Sequence, residues 1–464
     1  MEETTTIPTD KKKVTVLSCT VKQLLSGILG DSTIKRDLKI PEYQRPYVWK
    51  KKQLTKLISD FNDFYKSYHN DLPLYYLGSI ILHKDIDVLN IIDGQQRITT
   101  LALLDYYVNN VAHSIEYSSP KSINQIKENH LLLSKKEVVL QKLDLELLNV
   151  TLVITNSEDD AYTFFETQNT GGKRLSGADI VKAHHLRAVK GQGAIANKAQ
   201  QWESKNITTI NEVIGLLSKA RYWNFLNWKS YPSFRQKQAV KNVIVEDFTE
   251  NTNNAEHPIS FYQTEKKGDD FQTSSQNSSH LKALRQPLYN GAHFIDYLSE
   301  YVDVYETLFL LENDYRVDER FYVFKNTLIN GANGTIFLKE LFQLVVLAYV
   351  SKFGFKNIYE FSLWVFRYVY SIRVINRRTV REDSIEKFVR EELILDKIFG
   401  CFTHQEIVSQ LKQYNYNFNS ENCEENRVKG RYIISLGYYF DIFSNDMVVT
   451  NFDNTLKEAI NGKL

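Results

Sequence analysis

Proline and methionine are scarce in this chain, with 8 and 2 residues among 464, and cysteine is too rare to build a scaffold. Cys19, Cys401 and Cys423 are odd in number, far apart and form no CxxC pair. That spacing excludes a zinc knuckle and a disulfide framework, and it fits a reducing compartment. Charge of one sign is also lacking: 57 basic residues stand against 56 acidic ones, for a net charge of +1. No global field draws the chain onto nucleic acid, so any such contact has to come from a local basic patch. The opening residues MEETTTIPTDKKK lack an apolar core of the kind a secretory signal needs. No apolar run approaches the roughly 20 residues that span a bilayer. The expectation is a cytoplasmic protein with no membrane partner. What is plentiful is aromatic: 28 Tyr and 26 Phe. They suit either base-stacking surfaces or a Tyr/Phe-rich core, and the core is the simpler reading.

Length implies two or three domains. In the first part, apolar runs predict strands at Val14–Leu17, Tyr75–His83, Val88–Ile92 and Val150–Thr155. Helices are expected over Val21–Leu29, Lys51–Tyr68, Ile98–Val111 and Ala161–Thr167, with charged helical character over residues 112–148. Two prolines keep Leu38–Trp49 extended. Ser176 and Asp179 form a capping-box pattern that opens a helix through Val189. The stretch Gln238–Ser279, rich in Asn, Ser, Thr, Gln and Lys, reads as a loop or linker. Helical patterns then cover Leu284–Leu311, Glu319–Ile329, Ile336–Phe353, Tyr359–Val374, Ile385–Phe399 and Glu406–Tyr414. The expected division is 1–195, a connector and linker over 196–280, and an α-helical domain over 281–464.

The sharpest chemical signal is a strand that ends in Asp93-Gly94 and passes to a helix beginning Gln95-Gln96-Arg97. A strand-to-helix turn points unpaired N–H groups outward at the positive end of the helix dipole. Glycine lets a phosphate approach such a turn, and an arginine can fork onto its oxygens. Asp93 is placed to hold a divalent ion or orient water, Gln95 or Gln96 to position that water, and Thr99 and Thr100 to offer hydroxyls. Taken from these five residues alone, a plain capped turn is the better explanation. A second element is Tyr43-Gln44-Arg45 with Tyr47 and Trp49, a polar triplet among aromatics suited to base and phosphate contact. Trp49 is more simply a packing residue. The third, Asn169-Thr-Gly-Gly172 followed by Lys173-Arg174, serves equally as a phosphate loop or a solvated turn.

The segments IPEYQRPYVW (Ile40–Trp49), YYLGSIIL (Tyr75–Leu82), IIDGQQRITTLALL (Ile91–Leu104) and FFETQNTGGKRLSGADIVKA (Phe164–Ala183) occur in one order and spacing. Together they resemble the N-terminal domain of GmrSD-type type IV restriction enzymes and related phage-defence proteins, over roughly residues 10–190. The resemblance implies an α+β chain: a ParB/sulfiredoxin-like domain, then a mostly α-helical one. It implies a nucleoside triphosphate (ATP, GTP or CTP) with Mg²⁺ at Asp93, Gly94, Gln95, Gln96 and Arg97, with Asp93 as the metal carboxylate. Gln44 and Arg45 become the flanking pocket, and Asn169 and Gly172 match the family's Asn–Gly turn. In members of the family, hydrolysis at this motif regulates a nuclease.

Many relatives carry an HNH nuclease with a His-Ile-x-Pro core, and residues 281–464 hold no such core; the histidines there are His293 and His404. The expected arrangement is therefore a nucleotide-dependent regulator whose nuclease is a separate subunit, with DNA and further copies of the chain as other partners. The alternatives are a self-contained nuclease with an unrecognised site and a non-catalytic nucleic-acid-binding module. In the helical half, Arg373, Arg377 and Arg381 recur at i, i+4 and i+8. They form one stripe for a phosphate backbone or an acidic partner if a single helix carries them, and otherwise a solvated face paired with Glu382 and Asp383.

Overall fold

The computed structural model describes residues 14–27, 36–69, 72–86, 88–117, 119–135, 139–140, 142–158, 160–161, 164, 176–262, 281–331, 336–377, 379–442 and 451–464. They fall into two compact units, Met1–Ser204 and Lys205–Leu464. The architecture is α+β: a small sheet with helices first, then a helical region.

The first unit is built on a five-stranded sheet of order β1-β5-β3-β4-β2. Its strands are β1 (Thr15–Thr20), β2 (Asp37–Lys39), β3 (Tyr75–Lys84), β4 (Val88–Asp93) and β5 (Leu148–Thr155). β1 and β5 are antiparallel, β5 and β3 parallel, β3 and β4 an antiparallel hairpin, and β4 and β2 parallel. The core places Ile80, Leu82, Leu89, Ile91 and Leu152 of the sheet with Leu54, Ile58 and Phe61 of α2 (Lys51–Ser67) and Ile98, Leu101 and Leu104 of α3 (Gln95–Asn109). At about 25 cal/mol per Å² of apolar surface removed from water, these side chains dominate the unit's stability. α1 (Val21–Ser26) stops short of the expected Leu29, at Gly27 in the left-handed conformation, φ +72, where glycine carries no steric penalty.

The β3–β4 ladder steps irregularly: Ile81 faces Asp93, but Leu82 faces Ile91. Ile92 is thus the extra residue of a bulge, a device that bends a strand and re-aims the turn beyond it. Among the described residues of 112–148, only α4 (Pro120–Ser134) is helical. The box at Ser176 and Asp179 is formed in both directions and opens α5 (Gly177–Ala188). α6 (Gln192–Glu203) closes the unit. The helix expected at Ala161–Thr167 lies largely outside the described residues.

The second unit packs helices around an aromatic core, and the simpler reading of the Tyr and Phe content holds. Tyr297, Tyr301, Phe321, Tyr349, Trp364, Tyr368 and Tyr370 are essentially inaccessible to solvent. Tyr349 stacks on Phe361 with ring centroids 3.9 Å apart. The polar stretch begins differently from expectation: Lys237–Val245 is helix, continued by a π turn at Glu246–Glu250. Its Val240, Val243, Ile244 and Phe248 recur at helical spacing, and Phe248 is fully buried. The helix expected from Leu284 starts only at Ala292, after a run of turns. Leu393, at φ +52, splits the expected Ile385–Phe399 helix into Glu382–Glu392 and Ile394–Gly400. The remaining helices include Ile207–Tyr222, Val428–Phe440 and Phe452–Lys463.

Candidate functional site

The turn between β4 and α3 has the predicted form. Asp93 ends the strand, Gly94 is the N-cap residue at φ +94, and no side chain caps the helix. A non-glycine residue here is doubly disfavoured. The backbone is left-handed, and a Cβ on Gly94 would meet Ile80 Cγ1 at 2.8 Å. Glycine is required by the packing of Ile80 beneath the turn, independently of any ligand.

The two glutamines have a structural task. Gln95 and Gln96 are 3% and 4% exposed. Gln96 Nε2 donates to the Pro46 carbonyl at 2.9 Å, and its Oε1 accepts from the Val48 N–H at 2.9 Å. This amide pairs with main chain as a neighbouring strand would. Gln95 Nε2 donates to the Arg45 carbonyl at 2.6 Å, while its Oε1 is buried without a partner among the described residues. Gln44 Nε2 reaches the carbonyl of Ile92, the bulge residue, at 3.0 Å. The segment QRPYVW, which follows Pro41 and carries Pro46, is thus fastened to the turn by three amide side chains.

Arg97 forks onto protein instead of pointing outward. Nη1 donates to Leu77 O at 2.6 Å and Nη2 to Ser79 O at 2.7 Å, with Asp93 Oδ2 3.4 Å from Nη2. A Cβ on Gly78 would lie 2.6 Å from Nη1, so the glycine at 78, itself at φ +95, is what admits the guanidinium. The hydroxyls of Thr99 and Thr100 are likewise engaged. Asn129 Nδ2 donates to the Tyr47 phenol at 2.9 Å, the phenol shares a 2.8 Å bond with Thr100 Oγ1, and Thr100 Oγ1 donates to Gln96 O. Thr99 Oγ1 pairs with the Tyr117 phenol at 2.7 Å. Burial pushes both phenols above their ordinary value, so they stay protonated links in these chains.

Two predicted side chains remain available. Asp93 Oδ1 has no partner among the described residues, and the side chain is about a quarter exposed. The Arg45 guanidinium has no ion pair or hydrogen bond among the described residues and lines a narrow groove with Glu42, Gln44, Pro46 and Tyr117. Asn169 and Gly172 lie outside the described residues. Sequence reasoning missed Lys182, buried on α5, which pairs with Glu203 at 2.7 Å and reaches Gln44 O at 3.3 Å. Nothing in the local pattern Ile-Val-Lys-Ala distinguishes it from a solvated lysine.

Residues 25–186 match the family model for the GmrSD restriction endonuclease, N-terminal domain. Residues 194–426, just over half of the chain, match a family of unknown function, DUF7834. The chain belongs to the DUF7834 family and carries a GmrSD-type N-terminal domain. That domain places it among restriction and phage-defence proteins. No curated protein matches the chain. The GmrSD-type match lies within the sheet-bearing unit and the DUF7834 match begins near its last helix, α6.

In the DUF7834 region the arginine stripe is not formed. The helix Ile358–Ile375 ends with Asn376 in an extended conformation, and Arg381 is the N-cap residue of the next helix. Arg373 is buried, and burial pulls its pKa down; Arg377 pairs with Glu421. His404, 3% exposed, is held between Tyr349 OH (2.8 Å to Nδ1) and Glu360 Oε2 (3.1 Å to Nε2). Among the described residues, no group of three or more His, Cys, Asp or Glu side chains is placed to hold a metal ion. Nor is any described helix long and apolar enough to cross a membrane.

Proposed function

We propose that the chain binds, and hydrolyses, a nucleoside triphosphate at the β4–α3 turn, as the regulatory component of a restriction-type defence system whose nuclease is a separate subunit. The observation that carries this reading is the uncapped first turn of α3, with Gly94 at its N-cap and Asp93 beside it, in a domain that matches the GmrSD N-terminal model. Uncapped N–H groups at a helix N-terminus favour an anion. The guanidinium of Arg45, unpaired among the described residues and carried on the segment fastened to that turn, is suited to pairing with a phosphate oxygen. One carboxylate fits a Mg²⁺ ion that keeps most of its waters, and Asp93 Oδ1 supplies it. Bound there, Mg²⁺ would neutralise charge on the phosphates.

On this reading Gln44, Gln95, Gln96 and Arg97 are positioning residues. They fix the relation of Arg45 to Asp93 through main-chain carbonyls, while Arg45 and Asp93 touch the ligand. Thr100 supports Gln96 through the Tyr47 hydroxyl chain, and Thr99 is held by the Tyr117 phenol. The test is phosphate release from ATP, GTP and CTP with Mg²⁺, together with equilibrium binding of each. Asp93→Asn should abolish turnover with the melting temperature unchanged. Binding of none of the three nucleotides by folded protein would overturn the proposal, as would full turnover in Asp93→Asn.

A further inference from the structure

The DUF7834 region holds a cleft of about 60 Å³ that nothing in the nucleotide reading uses. Its walls are Trp223 and Tyr231, from the end of helix Ile207–Tyr222 and the loop after it, and Phe337, at the start of helix Ile336–Phe353. A cation already sits in it. The Lys219 ammonium lies 5.9 Å from the Trp223 ring centre and 5.4 Å from that of Tyr231, and pairs with Glu340 at 2.5 Å. The cleft therefore combines aromatic faces with carboxylate in the way that recognises ammonium and guanidinium groups.

Carboxylates outnumber the cation. Glu340, Glu382, Asp383 and Glu386 line the cleft against the single Lys219. Two of them brace the loop: Glu382 accepts from Ser233 Oγ at 2.5 Å and the Phe234 N–H at 2.9 Å, and Glu386 from Ser230 Oγ at 2.5 Å. Asp383 is exposed and has no partner among the described residues. The rim is apolar and exposed. Phe234 and Ile336, next in the chain to the lining residues Ser233 and Phe337, are 55% and 72% exposed. The Phe234 ring lies 5.8 Å from Phe337. Large apolar side chains grouped around a polar centre mark interaction surfaces, whereas singly scattered ones do not.

We propose that this cleft receives an arginine or lysine side chain of a partner polypeptide, flanked by a large apolar residue that covers Phe234 and Phe337. The surplus negative charge selects a basic partner and disfavours nucleic acid at this face. The experiment is fluorescence anisotropy of a labelled peptide of alternating arginine and leucine, with a glutamate–leucine peptide as control. The full chain should bind the first and not the second. Asp383→Asn and Phe337→Ala should each weaken binding about threefold or more. Lys219→Met, which removes the competing internal cation, should tighten it. Phe234→Ala serves as the aromatic test if Phe337→Ala lowers the melting temperature. Loss in Asp383→Asn with no loss in either aromatic variant would reduce the effect to general charge attraction and overturn the proposal. So would weaker binding in Lys219→Met, or displacement of the peptide by a single-stranded oligonucleotide.

Discussion

Both units commit an arginine to main-chain carbonyls, but they satisfy it differently, and the difference separates scaffold from site. In the helical unit, Arg367 is fully buried; it pairs with both oxygens of Asp453 and donates to the Leu411 and Tyr414 carbonyls. Nothing of it is left for a ligand. In the sheet unit, Arg97 is about a quarter exposed and also commits its fork to carbonyls, those of Leu77 and Ser79, yet its neighbour Asp93 keeps one oxygen free among the described residues. Among the described residues, Arg45 is committed only through its main chain. Polar residues that look alike in sequence thus divide into those that hold backbone and those that face out. The division follows which carbonyls the fold brings opposite them.

That contrast is most sharply broken at Asp453. Asp453→Ala strands a buried guanidinium, and the expected loss is about 3–5 kcal/mol in urea unfolding of the helical unit. Arg97→Met should cost about 1.5–3 kcal/mol by the same measurement, because it removes two charge-assisted hydrogen bonds to β3 carbonyls. Gly94→Ala should cost about 1–3 kcal/mol, the strain of a left-handed non-glycine residue pressed on Ile80. Arg45→Ala, by contrast, should change stability by less than about 0.5 kcal/mol, as for a surface side chain without partners. If Arg45→Ala unfolded as readily as Arg97→Met, the separation of site from scaffold would fail.

A smaller effect concerns pH. Burial, reinforced by Lys282 and opposed by Asp296, depresses the His293 imidazole below its ordinary 6.5. Its neutral ring bonds with Ser260 Oγ at 3.0 Å. A depressed value means the contribution is complete above pH 6.5 and is lost as pH falls through the folded value. His293→Gln should therefore flatten the acid limb of the stability curve below pH 6.5, measured by thermal melts across pH.

Much of the sheet unit was legible because its signals are local. Four of the five strands, the Ser176–Asp179 box and the Asp93–Gly94 turn each follow from a few adjacent residues, whereas the short β2 and the stop of α1 at Gly27 did not stand out. The roles of Gln95 and Gln96 were not legible, because their partners stand some 50 positions earlier and the pairing is with main chain, which no residue type announces. Thr99 and Lys182 pair with side chains 18 and 21 positions later, Tyr117 and Glu203, and Thr100 with Tyr47 53 positions earlier, and nothing in the local pattern marks these pairings. The arginine stripe misled because helix Ile358–Ile375 stops at an asparagine with no glycine or proline to mark it. Leu393 breaks a helix with equal silence. In the polar stretch, Asn and Gln content masked the apolar spacing of Val240, Val243, Ile244 and Phe248.

The most direct measurement is calorimetric titration of wild-type and Arg45→Ala protein with slowly hydrolysed analogues of ATP, GTP and CTP in Mg²⁺. The account predicts that the wild type binds at least one analogue. It also predicts that Arg45→Ala binds it about tenfold or more weakly, with an unchanged urea midpoint, as expected for one lost arginine–phosphate contact. Equal affinity in the two proteins would contradict it.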